Sequence, residues 1–174
     1  MAENCDCSHE SGAAIWEPAP ATSSVACPAC AESGKPIDTL TLKAMLSHSL
    51  TELREIEYRF CRTIECSVVY YSVDGEQQFL ERDLRESVHN KHPDDDSVFV
   101  CYCFRHTPKS IKEEVVRTGC STVVASVTAG IQAGQCACDI RNPQGDCCLG
   151  NVHAVVERAV AADSASMQPT SSQR

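Results

Sequence analysis

Aromatic side chains are scarce in this chain. Phe, Trp and Tyr make up 5% of its 174 residues, and Trp occurs once. A domain with so few large side chains buries a thin hydrophobic core and usually needs cross-links or metal ions to stabilise it. We therefore expect one ordinary or two small domains that are stabilised by something besides apolar packing.

Excess positive charge and long apolar runs are also missing. The formal net charge is −9, which argues against a nucleic-acid groove, where Lys and Arg would have to neutralise phosphates. No apolar run approaches the about 20 residues of a membrane span. The N-terminus "MAENCDCSHE" lacks the basic and apolar regions of a secretory signal. We expect a cytoplasmic protein with neither a nucleic-acid nor a membrane partner.

The patterns that common enzyme sites require are absent from the sequence too. It contains no phosphate-binding glycine loop, no Ser–His–Asp arrangement and no pair of candidate catalytic carboxylates. The acidic run at 94–96 is typical of a solvated linker. We expect a protein that does not convert a substrate.

Cysteine, in contrast, is abundant, with thirteen residues in the chain. Thiols stay free in a reducing cytosol unless a metal holds them. Clustered cysteines therefore indicate metal sites before they indicate disulfides. The odd count also leaves at least one thiol outside any complete pairing.

The ends of the chain differ from its middle. Residues 1–25 and 163–174 are rich in small and polar residues without periodicity, and we predict flexible tails there. Between them the polar, proline-containing stretch 89–97 predicts a linker. It separates a first segment, 26–90, from a second, 98–162.

The two segments predict different structures, so the expected fold class is α+β. The first has a helical apolar pattern from Leu42 to Leu53, then short β-rich stretches and an Asp74-Gly75 hairpin turn. This pattern favours a helix on a small antiparallel sheet. The second is predicted to be all helical, beginning with a helix that Thr107 caps and Gly119 ends.

A first set of cysteines lies in the segment 26–90. "CPAC" and "CRTIEC" are separated by thirty residues, and two such turns can place four thiolates tetrahedrally around Zn²⁺. Such a site would add folding free energy to a segment with little core. The alternatives are four unrelated cysteines or a redox-active C-x2-C pair, although the latter normally lies in a βαβ context that is missing here.

A second set of six cysteines lies in the segment 98–162. Neighbouring thiols in C-x-C and C-C pairs are poorly placed to bond each other, but they can ligate one metal or two adjacent irons. A 2Fe–2S cluster takes four thiolates, two per iron, and helix N-termini would favour its negative charge. A second zinc site on the two C-x-C pairs is the alternative. The members of the set are Cys101, Cys103, Cys136, Cys138, Cys147 and Cys148.

Four stretches together resemble the N-terminal domain of the CopZ family of iron–sulfur copper metallochaperones: "CPAC", "YRFCRTIECSVVYYS", "VCYCFRHT" and "CACDIRNPQGDCCLGNV". The second half also resembles the helical 2Fe–2S domain of bacterioferritin-associated ferredoxins, and is called BFD-like below. The resemblance implies one zinc ion on Cys27, Cys30, Cys61 and Cys66. It also implies a 2Fe–2S cluster on Cys101, Cys103, Cys138 and Cys148, with Cys147 as the alternative to Cys148.

The resemblance implies a metallochaperone or redox protein that transfers single electrons in the handling of copper or another soft metal. Members of the family continue into a ferredoxin-like copper-binding domain. The end of the chain at Arg174 predicts that this domain is absent. Expected partners are a separate metal chaperone, a metal-transporting ATPase or a reductase. The alternatives are a structural two-zinc interaction module and a ferredoxin-like electron carrier unrelated to copper.

Three further cysteines fall outside these sets. Cys5 and Cys7 form a C-x-C-x-H motif with His9, which could bind a soft ion such as Cu(I) or consist of incidental thiols in a tail. Cys120 follows Gly119, and we expect it to be a small buried residue at a helix start.

Overall fold

The computed structural model of the protein describes residues 25–166. Its mixture of helices with an antiparallel sheet confirms the coarse prediction for the fold. The tail at 1–25 therefore lies almost wholly outside the described residues, as do Cys5, Cys7 and His9. In chain order the elements are β1 Lys35–Ile37, α1 Thr39–Met45, β2 Tyr58–Phe60, β3 Val68–Ser72, β4 Gln78–Leu80, α2 Pro108–Thr118, α3 Val123–Gln132, α4 Cys138–Arg141 and α5 Leu149–Ser166.

The four strands form one antiparallel sheet in the order β1-β2-β3-β4. All five residues of β3, VVYYS, are buried, and its β-branched and aromatic side chains suit a strand covered on both faces. The predicted hairpin between β3 and β4 is present. Gly75 has a φ of 76°, which only glycine adopts at little cost, and the Asp74 carboxylate accepts a hydrogen bond from the Ser72 hydroxyl at 2.6 Å.

Helix α1 is shorter than the apolar pattern predicts. It begins after Asp38, whose carboxylate caps the N–H of Leu40 at 2.7 Å, and it ends at Met45. Leu46 is extended and forms a β-bridge with Leu84. This tertiary pairing overrides the helical periodicity, so the predicted continuation to Leu53 is wrong.

The first helix of the second segment follows its sequence signals closely. Thr107 caps the N–H of Ser110 at 3.1 Å, Pro108 occupies the first turn, and Gly119 ends the helix with a φ of 76°. Helix α5 packs against α2 and α3. Their shared core includes Val100, Ile111, Val127, Val152 and Val155.

The first part of the connection, residues 89–92, is packed between the two segments, whereas most of residues 93–97 are exposed as the predicted linker requires. His89 and Lys91 are buried in a 3₁₀ turn. Lys91 Nζ donates to the Thr63 carbonyl at 2.6 Å, and the His89 N–H donates to the Tyr102 hydroxyl at 2.9 Å. The polar groups of the connection therefore find partners in both segments.

The loop 142–148 of the second segment also rests on the sheet of the first. The buried Tyr70 hydroxyl donates to the Pro143 carbonyl at 2.5 Å, and Lys35 forms an ion pair with Asp146. A Cβ on Gly145 would lie 2.7 Å from Ile37 Cδ1, so only glycine allows this approach. The sheet thus holds the turn that precedes Cys147 and Cys148.

The last helix extends further than the predicted helical segment. Helix α5 continues to Ser166, four residues past residue 162, because the alanine-rich end favours helix. Residues 167–174 lie outside the described part. None of the helices in residues 25–166 has the length and apolarity that a bilayer crossing requires.

Candidate metal centres

The first cysteine turn, CPAC, is built by short backbone hydrogen bonds. The Ala31 N–H donates to the Cys27 carbonyl, and the Cys27 N–H donates to the Glu32 carbonyl, both at 2.8 Å. Ala31 itself is left-handed, with a φ of 62°. Burial raises the pKa of the Cys27 thiol, and the backbone amides of Ala29 and Cys30 oppose that rise. The turn therefore directs backbone dipoles at a sulfur, which favours its thiolate form.

The second cysteine turn, CRTIEC, leaves the end of β2. The Cys61 N–H donates to the Val69 carbonyl at 2.8 Å, and the Cys66 N–H donates to the Thr63 carbonyl at 3.2 Å. The hairpin of β2 and β3 thus carries Cys61 and Cys66 on its connecting loop. This loop faces the CPAC turn.

The four sulfur atoms of the first set all lie within 4.8 Å of one another. Cys27 Sγ is 3.9 Å from Cys66 Sγ, and Cys30 Sγ is 3.7 Å from Cys61 Sγ. A Zn–S bond of about 2.3 Å in a tetrahedron gives sulfur separations of about 3.8 Å. All four thiols are free. The donor set and its spacing therefore fit a tetrahedral zinc ion.

The thiols of the first set differ in pKa. The Thr63 hydroxyl lies 3.4 Å from Cys30 Sγ and is the main reason that the pKa of Cys30 falls to about 6. Burial raises the pKa of Cys27, and it raises the pKa of Cys66 to about 12. A metal ion must therefore displace protons from the latter two, whereas Cys30 offers a thiolate at neutral pH.

The second set of cysteines contains two close pairs. Cys103 Sγ lies 3.7 Å from Cys138 Sγ, and the thiols of Cys101 and Cys148 are neighbours that shift each other's pKa. Cys101 and Cys148 are 0% and 2% exposed. Loop 101–106, which a bridge between Cys101 and His106 closes, supplies one member of each pair.

Backbone and thiol hydrogen bonds polarise this second site. The Ala137 N–H donates to Cys103 Sγ at 3.3 Å. The neighbouring Cys148 thiol is the main reason that the pKa of Cys101 falls to about 6, and Cys101 in turn raises the pKa of Cys148. Burial raises the pKa of Cys138 to about 12. Each close pair therefore needs a positive charge to hold both of its members as thiolates.

The two cysteine sets differ in how their sulfurs are grouped. Within residues 25–166, the first set alone brings three or more potential ligands within 4.8 Å of one another. A single tetrahedral zinc ion needs all four sulfurs at about 3.8 Å. A two-iron centre instead needs two close pairs, one per iron. In the second set, Cys103 and Cys138 form one such pair, and Cys101 and Cys148 are neighbouring buried thiols.

The remaining described cysteines lie outside the pairs. Cys147 is exposed and Cys136 is half-buried. Cys120 is exposed as well, so the expectation that it is buried is wrong. The left-handed Gly119 turns the chain away from the core there, and α3 begins only at Val123.

Two residues that support the sites were not singled out in the sequence. Thr63 lies inside the CRTIEC turn. Its position between two candidate ligands was the sequence feature that could have indicated a role at the metal site. Tyr70 supports the second site from a strand of the first segment. No local pattern could predict that contact, because the two residues are 73 positions apart.

Comparison with known proteins defines the class of the first segment. Residues 24–85 match the zf_CopZ family, described as a zinc binding domain. This match, which covers both cysteine turns of the first set, supports a CopZ-like zinc-binding domain.

Two individual proteins extend the similarity. The chain is 30% identical over 122 residues to the copper chaperone CopZ of Archaeoglobus fulgidus, an alignment that spans 70% of this chain and 57% of that protein. The chain therefore spans little more than half the length of this curated relative. The X-ray structure of the Archaeoglobus fulgidus CopZ N-terminal domain is similar with a TM-score of 0.61 and 28% identity, over 75% of this chain and 96% of that one.

Proposed function

We propose that the protein is a CopZ-like metal-handling protein that holds a structural zinc ion and a 2Fe–2S cluster. Its role is one-electron transfer linked to copper or another soft metal. The observation that carries the proposal is the grouping of the sulfurs. Four lie together in the first set, whereas in the second set Cys103 and Cys138 form a close pair beside the neighbouring thiols of Cys101 and Cys148. The matched zinc-binding family and the relative named as a copper chaperone support the same assignment.

The zinc ligands in this proposal are Cys27, Cys30, Cys61 and Cys66. They join the CPAC turn to the β2–β3 loop, and Val68 and Tyr71 pack against them in a small core. A bound ion would cross-link these two chain regions. Its contribution is therefore to folding, and the site leaves no open position for a substrate.

The cluster ligands in this proposal are Cys101, Cys103, Cys138 and Cys148. When bound, the cluster supplies the acceptance and release of one electron. The chain's own residues exclude water from Cys101 and Cys148 and donate an N–H to Cys103. Cys148 also begins α5, since its carbonyl accepts the N–H of Val152 at 3.0 Å. The positive end of that helix therefore lies next to Cys148 in the chain and favours negative charge there.

The BFD-like character of the helical segment is part of the proposal. Helices α2, α3 and α5 surround the loops that carry the two thiol pairs. This arrangement suits a site that exchanges electrons near the surface, because the neighbouring Cys136 and Cys147 are only partly covered or exposed. The partner would be a reductase, a separate metal chaperone or a metal-transporting ATPase.

Serine variants purified without oxygen test the two assignments separately. Cys103→Ser should lose iron and the visible absorption of the protein while zinc is retained. Cys61→Ser should lose zinc and much of its stability. Cys120→Ser is the matched control, because Cys120 is exposed and distant in sequence from both sets; it should keep both metals. Loss of zinc instead of iron from Cys103→Ser would contradict the cluster assignment.

Copper handling is tested by titration with Cu(I) under a competing chelator. The proposal expects binding of Cu(I), or reduction of Cu(II) by the reduced protein with one electron passing to each copper ion. A protein that holds iron and zinc but does neither would be an electron carrier unrelated to copper.

A further inference from the structure

A cleft of about 410 Å³ lies beside the second cysteine site and is lined by three arginines. Arg85 follows the sheet, Arg105 lies in loop 101–106, and Arg141 lies at the end of α4. Glu86 is the acidic residue among the lining. The charge of this cleft is positive, whereas the chain as a whole has a net charge of −9. We call it the arginine cleft.

Two of the three arginines are held in place by their surroundings. Arg105 has the unfavourable φ of 60° for a side-chain-bearing residue. Its guanidinium lies 3.8 Å from the centre of the Phe99 ring and 2.6 Å from Glu86. The Nε of Arg85 donates to the Leu46 carbonyl at 2.9 Å. These contacts leave further guanidinium N–H groups of both residues free to bind a ligand.

The cleft adjoins the chain segments that carry the second cysteine set. Tyr102, between Cys101 and Cys103, forms part of its wall, and Ile140 lies two residues after Cys138. Ile140 is 41% exposed although it is a large apolar residue. A charged rim around an exposed apolar side chain is typical of a site for a transient protein partner.

We propose that the arginine cleft docks an acidic surface segment of a partner protein beside the second cysteine site. Guanidinium groups bind carboxylates through paired hydrogen bonds, and a local positive potential would steer an acidic partner to this face. A nucleic acid is disfavoured because Tyr102, at 2% exposure, offers no stacking surface for a base. The binding claim does not depend on which metal the second set holds.

Fluorescence anisotropy of a labelled hexaglutamate peptide tests the proposal on the full, metal-loaded protein. Wild type should bind it, with an affinity that falls as salt rises. The variant Arg85→Gln/Arg105→Gln/Arg141→Gln should bind about tenfold more weakly or worse, as expected from removing three partly exposed charge contacts. The matched control Arg82→Gln/Lys109→Gln/Arg117→Gln removes the same charge from exposed positions elsewhere and should bind as wild type does.

Backbone NMR shifts give a second readout that needs no variant. The peptide should perturb the amides around residues 85, 105 and 141 more than those of α2. Absence of binding to wild type, equal loss in the control variant, or equal binding of hexaglutamine would overturn the proposal. Tighter binding of a labelled hexathymidylate would also overturn it, in favour of a nucleic-acid partner. If wild type fails to bind while the triple arginine variant changes Trp16 fluorescence, the cleft accommodates the chain's own N-terminal segment and the proposal is wrong.

Discussion

Thr63 illustrates how one side chain can set the chemistry of a metal centre. Its hydroxyl lies 3.4 Å from Cys30 Sγ and keeps the pKa of that thiol at about 6. In Thr63→Val the pKa of Cys30 should rise, so that protons compete with zinc at a higher pH. The pH of half-maximal zinc loss should therefore rise, and zinc affinity at neutral pH should fall about tenfold or more.

A chromophoric chelator measures this zinc loss as the pH is lowered. Thr51→Val is the control, because Thr51 is exposed and its hydroxyl contacts Ser49 in a turn. An unchanged midpoint in Thr63→Val would contradict the role given to the hydroxyl.

Cys147 and Cys148 are adjacent but differ in surroundings. Cys148 is 2% exposed and neighbours the Cys101 thiol, which raises its pKa, whereas Cys147 is exposed. We expect Cys148→Ser to lose the visible chromophore and Cys147→Ser to retain it. Iron analysis of both variants, prepared side by side without oxygen, decides the matter, and the opposite result would assign the ligand to Cys147.

At the scale of elements, strand β3 supports the loop that holds the second site. Tyr70→Phe removes the hydrogen bond to the buried Pro143 carbonyl and should lower the free energy of unfolding by about 1–3 kcal/mol. It should also speed iron loss to a chelator. Tyr58→Phe is the control, since the Tyr58 hydroxyl contacts Gln77 and not the loop 142–148. Equal iron loss from both variants would contradict a specific supporting role.

The end of α2 depends on the left-handed conformation of Gly119. Gly119→Ala should lower the free energy of unfolding by about 1 kcal/mol, although a Cβ there would meet no atom within 4 Å. Gly150→Ala, also free of contacts but inside α5, should instead raise it by about 0.5–1 kcal/mol. Chemical denaturation measures both. A stabilised Gly119→Ala protein would contradict the conformational argument.

The limits of some elements could be predicted from the sequence, and the limits of others could not. Helix α2 has a capping threonine, a proline in its first turn and a terminal glycine, so its limits could be predicted from local signals. Helix α1 ends early because Leu46 pairs with Leu84, and no signal within its own sequence indicates that pairing. The buried polar contacts of residues 89–97 were missed for the same reason.

At the scale of the whole molecule, the two cysteine sets are connected by packing. Lys91 reaches Thr63 in the first site, and the neighbouring His89 reaches Tyr102 in the second. Cysteine spacing could predict which thiols cluster, because C-x2-C and C-x4-C turns place their ligands locally. The division of the second set into pairs and the arginine cleft could not be predicted, since both depend on how distant segments meet.

The metal content of the anaerobically purified wild-type protein tests the central claim most directly. With zinc on the first set and a 2Fe–2S cluster on the second, the protein should be red-brown, and elemental analysis should give about two iron ions per zinc ion. A colourless protein with two zinc ions per chain and no iron would contradict the account.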